Sequence, residues 1–198
     1  MKILDAHSAV IPCSDLLRKH DGGVILAPTE TVYGLLCGAG DQAGRSRIYH
    51  LKHRPVKKQL ALFLPDLSFT ADFAQPLAGR AKRIVEAFMP GPVTLVIPDG
   101  KGSTFGFRIP DHPFILSLLK QYGGPIASTS ANLSGKPPAL NLKDALLSLD
   151  GEPDLAVEGG ALPPDSLAST VILMKDDDSF QIVRQGPVTE EMILRALD

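Results

Sequence analysis

The chain is poor in the residues and charges that mark several classes of protein. It has no tryptophan, two cysteines and a net charge of only −2 over 198 residues. Cys13 and Cys37 fit no metal-binding or redox spacing, so we expect buried thiols in a reducing compartment. A balanced charge gives no overall attraction for nucleic acid, so any anion site must be built from a local cluster of cations.

The sequence also lacks a long apolar segment. No stretch approaches the roughly 18 consecutive apolar residues of a membrane span. The apolar residues near the N-terminus are interrupted by Asp5 and His7, which is unlike a signal peptide. We therefore expect a cytoplasmic protein that has no membrane partner.

The chain does have enough hydrophobic sequence for one sizeable core, since 44% of its residues are hydrophobic. Short runs rich in Val, Ile and Phe alternate with segments of helical periodicity. The predicted strands are GGVILAP, LALFLP, PVTLVIP, FGFRIP, PIAST, DLAVE, STVILM and FQIVR. The predicted helices are DQAGRSRIYHLK, PLAGRAKRIVEAF, PFILSLLKQY, LKDALLSL and TEEMILRAL.

This alternation indicates an α/β fold. Some predicted strands follow one another without a helix between them, so the sheet should be mixed, with parallel and antiparallel pairs and flanking helices. We expect a single domain over residues 1–198, with its core in about residues 8–186 and a short C-terminal helix in about residues 188–197. The acidic run at 176–180, between two predicted strands, is typical of a solvated hairpin turn rather than of a metal site.

The first segment with candidate chemistry is APTETVYGLL. An extended backbone would place Thr29, Thr31 and Tyr33 on one face and Glu30 and Val32 on the other. The first face would be a row of hydroxyls directed at a ligand. Since β-branched and aromatic residues also favour strands for their packing alone, both interpretations remain open.

The second segment, LKHRPVKKQ, is rich in cations. The preceding helix should end near His53, ahead of the proline. If the chain beyond is extended, Lys52 and Arg54 can point the same way, which they could not do on a continuing helix. Helix capping explains the first of these cations but not Lys57 and Lys58, so the segment favours an anion site.

The third segment is STFGFRIPDHP. Its odd-numbered residues from 105 to 109 are apolar, which leaves Thr104, Gly106 and Arg108 on the opposite face. An arginine beside a glycine suits a carboxylate or phosphate ligand, although a solvated arginine is the alternative. Asp111 is predicted to be the N-cap of the next helix, so His112 is interpreted as structural rather than as a general base.

The fourth segment is STSANLSGKPP, whose composition fits either a surface linker or a rigid turn. If the preceding strand continues for one residue, Ser128 and Ser130 share a face and Asn132 follows in the turn. Hydroxyls, an amide and backbone N–H groups can hold a phosphate or carboxylate without charge. Ser134 and Gly135 are interpreted as structural.

Residues 38–43, GAGDQA, also match a dinucleotide-binding pattern, G-x-G-x-x-A. Asp66 follows the next predicted strand, where a ribose-binding acid could lie. The segment before the pattern is a poor buried strand, however, and Asp41 is explained as the N-cap of the following helix. NAD binding is therefore a weak alternative.

Six motifs in this order resemble the YrdC family of threonylcarbamoyl-AMP synthases: PTETVYGL, LKHRP, GPVTLVIP, FRIPDHP, STSANLSGKPP and IVRQG. The resemblance runs over about residues 23 to 186. The family signature is a K-x-R pair followed by S-x-N, which Lys52 with Arg54 and Ser130 with Asn132 reproduce. The implied fold is a twisted α/β sheet with a concave, positively charged groove.

The resemblance implies a nucleotidyltransferase. Family members combine L-threonine, bicarbonate or CO2 and ATP into threonylcarbamoyl-AMP and release pyrophosphate. A tRNA-modifying transferase complex then passes the threonylcarbamoyl group to the adenosine beside the anticodon. Mg²⁺ is expected to arrive with ATP, without a tightly bound protein-ligated metal, and tRNA or other double-stranded RNA is a further expected partner.

The resemblance also implies two groups of binding residues. Those around L-threonine are Thr31, Arg108, Ser128 and Ser169. Those around ATP are Arg54, Lys58, Thr104, Ser130, Asn132, Pro138 and Arg184. Lys52 and Arg54 are the implied catalytic residues, which would stabilise the charge that develops on the phosphate.

One position departs from the pattern. Many relatives have a histidine that helps to hold threonine a few residues after the K-x-R pair, and this chain has Phe63 there. The short subgroup of the family tends to lack that histidine, so the resemblance is to that subgroup. A related protein that binds RNA without synthase activity is the alternative function.

Overall fold

The fold is organised around a mixed β-sheet, which a computed structural model shows for residues 1–72 and 77–198. In chain order the strands are β1 (Lys2–Asp5), β2 (Ile25–Ala27), β3 (Gly34–Gly38), β4 (Ala61–Phe63), β5 (Val93–Pro98), β6 (Thr104–Arg108), β7 (Ile126–Ser130), β8 (Leu155–Glu158), β9 (Thr170–Met174) and β10 (Phe180–Arg184). Across the sheet the order is β1-β8-β2-β3-β7-β4-β6-β5-β9-β10.

The pairing of these strands confirms the predicted mixed sheet. The pairs β1–β8, β8–β2, β4–β6 and β5–β9 are parallel. The pairs β2–β3, β3–β7, β7–β4, β6–β5 and β9–β10 are antiparallel. The acidic run between β9 and β10 is a hairpin turn, as predicted, and the backbone N–H of Lys175 donates to the carbonyl of Ser179 at 2.8 Å.

Six α-helices flank the sheet in the part of the chain that the structure describes. They are α1 (Val10–Arg18), α2 (Gln42–Leu51), α3 (Gly79–Phe88), α4 (Pro113–Tyr122), α5 (Leu142–Leu147) and α6 (Glu190–Leu197). A 3-10 helix spans Leu67–Asp72. All five predicted helices are present, although the predicted start of α3 at Pro76 lies outside the described residues.

The ends of two helices show how local chemistry sets their bounds. Asp41 is the N-cap of α2, as predicted, and its carboxylate accepts from the N–H of Gly44 at 2.9 Å. The helix ends before His53, also as predicted, and His53 has a left-handed φ of 47°. The N-cap of α4 is His112, so the prediction of Asp111 was wrong. Asp111 precedes the cap, and its backbone N–H donates to Oε1 of Glu30 at 2.8 Å.

Two N-terminal elements, β1 and α1, were not predicted from the sequence. Strand β1 is short and lies at the edge of the sheet. Helix α1 has Pro12 in its first turn, where the missing N–H costs nothing, but the proline obscures the helical pattern. The helix is held by the burial of Cys13 and Leu17 against α4.

The two faces of the sheet are covered unequally, and this creates the site. One face packs against α2, α3, α5 and α6 and forms the larger hydrophobic core. The other face packs against α1 and α4 through residues of β2, β3, β7 and β8. Over β4, β6, β5 and β9 that second face remains open, with polar side chains on β5 and β6. A cavity therefore lies on the open half of the sheet.

The dinucleotide-binding alternative does not fit this topology. The strand before GAGDQA is β3, which is antiparallel to both of its neighbours, whereas that motif requires a parallel strand–helix–strand unit. Asp66 is exposed, and its carboxylate accepts from the backbone N–H of Ser68 at 2.8 Å. Asp41, the N-cap of α2, and Asp66 therefore have local structural roles.

Candidate active site

The cavity on the open face of the sheet has a volume of about 320 Å³. Its floor is built from alternate residues of β7, β4, β6, β5 and β9, since successive side chains of a strand point to opposite faces. In β6 these are Thr104, Gly106 and Arg108, and in β7 they include Ser128 and Ser130. The alternation predicted for β6 is confirmed. In β7 the two serines share the cavity as predicted, although Thr129 between them also lines it.

Most of the predicted site residues meet in this one cavity. Eight of them line it: Thr31, Arg54, Thr104, Arg108, Ser128, Ser130, Ser169 and Arg184. Four are not among its lining residues: Lys52, Lys58, Asn132 and Pro138. Residues from six separate segments of the chain are thus brought together, although their individual roles remain predictions.

The predicted row of hydroxyls in residues 28–33 is partly wrong. The segment is a bend between β2 and β3, not a strand. The Thr29 hydroxyl accepts from the N–H of Thr31 and of Val32, each at 3.2 Å, and donates to the Val32 carbonyl at 2.7 Å. This side-chain turn competes with extended structure. Thr29 and Thr31 face the cavity, whereas Tyr33 lies in the core and donates to the carbonyl of Gly160 at 2.8 Å.

Arg108 is a buried arginine, which excludes the solvated alternative. Its side chain is 5% exposed, and its Nε donates to the carbonyl of Gly91 at 2.9 Å. Nη1 donates to the Thr31 hydroxyl at 3.2 Å, and Nη2 forms an ion pair with Glu30. The guanidinium lies 5.6 Å from the centre of the Phe63 ring, which also lines the cavity. Burial lowers the pKa of Arg108, and the Glu30 carboxylate opposes this shift.

Arg54 lines the cavity from the turn after α2. Its Nε donates to the Lys58 carbonyl at 2.9 Å and its Nη2 to the Gln59 carbonyl at 2.8 Å. These bonds hold the guanidinium by its own loop and leave its other N–H groups for a ligand. Lys58 contributes its backbone to this loop, and its side chain is exposed.

Lys52 differs from the prediction that it points the same way as Arg54. The backbone between them is not extended, because His53 is left-handed. The Lys52 side chain is 1% exposed, and its Nζ donates to the carbonyls of Ser130 and Asn132, the latter at 2.6 Å. Burial and the nearby Arg54 lower the pKa of Lys52 to about 7. The cation therefore lies under the end of β7 rather than in the cavity.

Asn132 braces the turn that follows β7. Its side-chain amide donates to the carbonyls of Leu133 and Lys136 at 2.8 and 2.7 Å, and the residue is 6% exposed. Ser134, interpreted as structural, donates its backbone N–H to the carbonyl of Lys52 at 2.8 Å. The segment is thus a rigid turn and not a linker.

Ser169, a predicted site residue, is paired in the cavity with Thr94, which sequence reasoning missed. The hydroxyls of Thr94 and Ser169 lie 2.8 Å apart, and both residues line the cavity. Arg184 donates to the Ser169 carbonyl from Nε at 3.0 Å and from Nη2 at 2.8 Å. The close approach of the chain requires Gly186, because a Cβ there would lie 2.3 Å from the Ala168 carbonyl oxygen. The alternation of side chains along PVTLVIP could have identified Thr94, because Thr94 and Val96 share the face that lines the cavity.

Within residues 1–72 and 77–198, no group of three or more His, Cys, Asp or Glu side chains could hold a metal ion. None of the helices in those ranges is long and apolar enough to cross a membrane.

The fold and the cavity define an α/β protein whose candidate ligand site lies on the open half of a mixed sheet, among hydroxyls and three arginines. The family model Sua5_yciO_yrdC, described as "Telomere recombination", matches residues 18–186. The chain therefore belongs to the Sua5/YciO/YrdC family, which confirms the resemblance seen in the sequence.

Individual relatives agree with this assignment. The chain is 35% identical over 188 residues to the threonylcarbamoyl-AMP synthase of Bacillus subtilis, which covers 90% of this chain and 53% of the relative. It is 32% identical over 186 residues to the synthase of Vibrio cholerae, and this match covers 87% of the present chain and 94% of the relative. The structure of P. abyssi Sua5 complexed with L-threonine matches with a TM-score of 0.88 at 27% identity, over 100% of this chain and 61% of that one. The chain thus spans about half the length of the Bacillus subtilis relative.

Proposed function

We propose that this protein is an L-threonylcarbamoyladenylate synthase, which joins L-threonine, bicarbonate or CO2 and ATP and releases pyrophosphate. Relatives that carry the name threonylcarbamoyl-AMP synthase support this, as does the Sua5 neighbour complexed with L-threonine. The observation that carries the proposal is that three arginines and a set of Ser and Thr hydroxyls line a single cavity. Such a cavity suits two anionic substrates that must meet.

The three guanidinium groups lie close enough to influence one another. Burial lowers the pKa of Arg184, and Arg108 and Arg54 lower it further. Like charges held together in this way are costly unless anions neutralise them. A triphosphate and a carboxylate would do so. We assign the end with Arg108, Thr31, Ser128 and Ser169 to L-threonine.

The ATP end would be formed by Arg54, Thr104, Ser130 and Arg184, which line the same cavity. The predicted contacts of Lys58, Asn132 and Pro138 with ATP are part of the proposal, but they would require these residues to act from outside the present lining. Lys52 would act through the turn that it holds. Mg²⁺ would enter with the phosphates of ATP as part of the substrate.

The proposed chemistry needs no side-chain nucleophile. The threonine amine adds CO2 and loses a proton to give an N-carboxylate. A carboxylate oxygen then attacks the α-phosphorus of ATP, and the bond from that phosphorus to the pyrophosphate oxygen breaks. The protein contributes by holding the two anions together and by stabilising the charge that grows on the phosphate oxygens. Arg54 is the group that we assign to the second task.

The product is a reactive mixed anhydride, so another catalyst must accept it. We propose that a tRNA-modifying transferase complex receives it for modification beside the anticodon. Binding of tRNA or double-stranded RNA by this chain itself is a weaker expectation, since the cations of the cavity lie among hydroxyls rather than stacking aromatics.

Pyrophosphate release in the presence of ATP, L-threonine and bicarbonate tests the function. We expect release that depends on all three, measured by omitting each in turn. For substitutions of the cavity arginines, Arg195→Ala is a matched control, because Arg195 pairs with Glu191 on the surface of α6. Release that does not require threonine contradicts the proposal.

A further inference from the structure

Glu30 is a carboxylate that lies beside the cavity without lining it. It belongs to the bend between β2 and β3, and its side chain is 16% exposed. Oε1 forms an ion pair with Nη2 of Arg108 and accepts from the backbone N–H of Asp111 at 2.8 Å. Glu30 thus links the bend, strand β6 and the segment that leads into α4.

The contacts of Arg108 leave little of its guanidinium for a ligand. Nε is bonded to the Gly91 carbonyl, and Nη2 faces Glu30. Neither Nη2 of Arg108 nor Oε2 of Glu30 is reached by solvent. The remaining donor is Nη1, which has two N–H groups and uses one of them for the Thr31 hydroxyl. A bidentate contact with a carboxylate through two open nitrogens, which a buried arginine can otherwise make, does not fit this arrangement.

The charge of Glu30 has a second effect. A guanidinium that is 5% exposed would be costly without a counter-ion, and Glu30, which does not line the cavity, supplies one. Glu30 therefore offsets part of the cost of burying Arg108 and fixes its orientation before any substrate binds. The titratable groups toward α4 are Asp111 and His112. Burial lowers the pKa of His112, Glu30 and Asp111 oppose this shift, and Arg108 adds to it.

We propose that Glu30 is a positioning residue for substrate recognition. It holds Arg108 so that the Nη1 edge, together with the Thr31 hydroxyl, presents the contact for the substrate carboxylate. The proposal rests on the proposed function, in which that carboxylate belongs to L-threonine. Glu30 itself does not touch the substrate.

Steady-state kinetics of Glu30→Ala and Glu30→Gln test the role. Glutamine keeps a side-chain oxygen that can accept from Arg108 and Asp111, whereas alanine keeps none. We expect Glu30→Ala to raise the KM for threonine at least about tenfold, the equivalent of one charge-assisted hydrogen bond. The KM for ATP should change less than about twofold, and Glu30→Gln should keep the threonine KM within about threefold.

The control is Glu158→Ala, since Glu158 is an exposed carboxylate that accepts from the backbone N–H of Gly160 at 2.9 Å outside the cavity. An unchanged threonine KM in Glu30→Ala overturns the proposal. An equal rise in both KM values also overturns it, because that result indicates a general loss of structure. If Glu30→Ala does not fold, Glu30→Asp is the second variant, because its carboxylate is one methylene shorter and cannot reach Arg108 and Asp111 in the same way. The threonine KM should again rise more than the ATP KM, and an unchanged threonine KM overturns the proposal.

A second measurement separates this proposal from the proposed function. The Nε–H resonance of Arg108, assigned by its loss in Arg108→Lys, should exchange slowly with water in the ligand-free protein. Glu30→Ala should speed its exchange at least about tenfold, and Glu30→Gln should not. Absence of threonine-dependent turnover in the wild type would reject the function alone, whereas unchanged exchange in Glu30→Ala would reject the positioning role.

Discussion

The ammonium of Lys52 lies 2.6 Å from the backbone carbonyl of Asn132 and also donates to the carbonyl of Ser130 and the side chain of Asn132. A cation at the end of one helix thus holds both ends of the turn after β7. All three N–H groups of the ammonium have protein acceptors. Lys52 therefore shapes the site through Ser130 and Asn132.

Removal of the Lys52 amine should loosen this turn. We expect Lys52→Met to lower the free energy of unfolding by about 1–3 kcal/mol, because buried oxygens lose their donor. The KM for ATP should rise as Ser130 shifts. Urea unfolding and steady-state kinetics measure the two effects, with Lys57→Met, an exposed neighbour, as the control. Wild-type stability and a wild-type ATP KM in Lys52→Met would show that the amine does not hold the turn.

The burial of Lys52 should make stability depend on pH. Its pKa is lowered from 10.5 to about 7 in the folded protein. Between these values the unfolded chain binds a proton that the folded chain has released, so the free energy of unfolding should rise with pH. The limit is about 1.4 kcal/mol per pH unit. Below pH 7 both states are protonated, and this contribution becomes constant.

Urea unfolding from pH 6.5 to 9.5 measures that slope against variants that cannot titrate there. Lys52→Met carries no charge, and Lys52→Arg stays protonated throughout. Both should lack the rise that the wild type shows. A slope shared by all three proteins would mean that other groups cause it.

The hydroxyl of Ser130 should matter for ATP and not for folding. Ser130 is half-buried at the end of β7 and lines the cavity. We expect Ser130→Ala to raise the KM for ATP about three- to thirtyfold, as for the loss of one hydrogen bond to a charged group. The free energy of unfolding should change by less than about 0.5 kcal/mol. Ser179→Ala, in the exposed hairpin turn, is the control, and equal ATP kinetics in the two variants would contradict the assignment.

Loss of the Arg54 guanidinium should reduce turnover more than binding. A donor that is held in place before the reaction stabilises the transition state most, so Arg54→Ala should lower kcat by about 10²- to 10³-fold. The KM for threonine should change little, because the threonine carboxylate is assigned to Arg108 and Thr31. Pyrophosphate release measures both values. A wild-type kcat in Arg54→Ala would exclude the catalytic role.

The predictions from strand alternation succeeded where the alternation is set by the backbone alone. In β6 every second residue lines the cavity, and in β7 both predicted serines do, so Arg108, Ser128 and Ser130 were identified from their numbers in the sequence. The same argument failed for residues 28–33, because the Thr29 hydroxyl bonds to neighbouring N–H groups and turns the chain. A local side-chain bond can override a periodic pattern.

Contacts between distant segments were beyond the reach of the sequence. Thr94 and Ser169 are 75 residues apart, and Glu30 and Asp111 are 81 apart. Their pairing depends on the order of strands across the sheet and on the close approach at Gly186. The N-terminal elements were also missed, since β1 and α1 gain their stability from packing on β8 and α4.

We could predict from the sequence the α/β class, the bounds of α2, the faces of β6 and β7 and the membership of the family, because these depend on local chemistry and on short ordered motifs. The charges that the cavity presents depend on how the chain folds. The buried Lys52 donates to the backbone of the 130–132 turn, and the buried Arg108 pairs with Glu30. A buried charge must find its partners in whatever segment lies beside it.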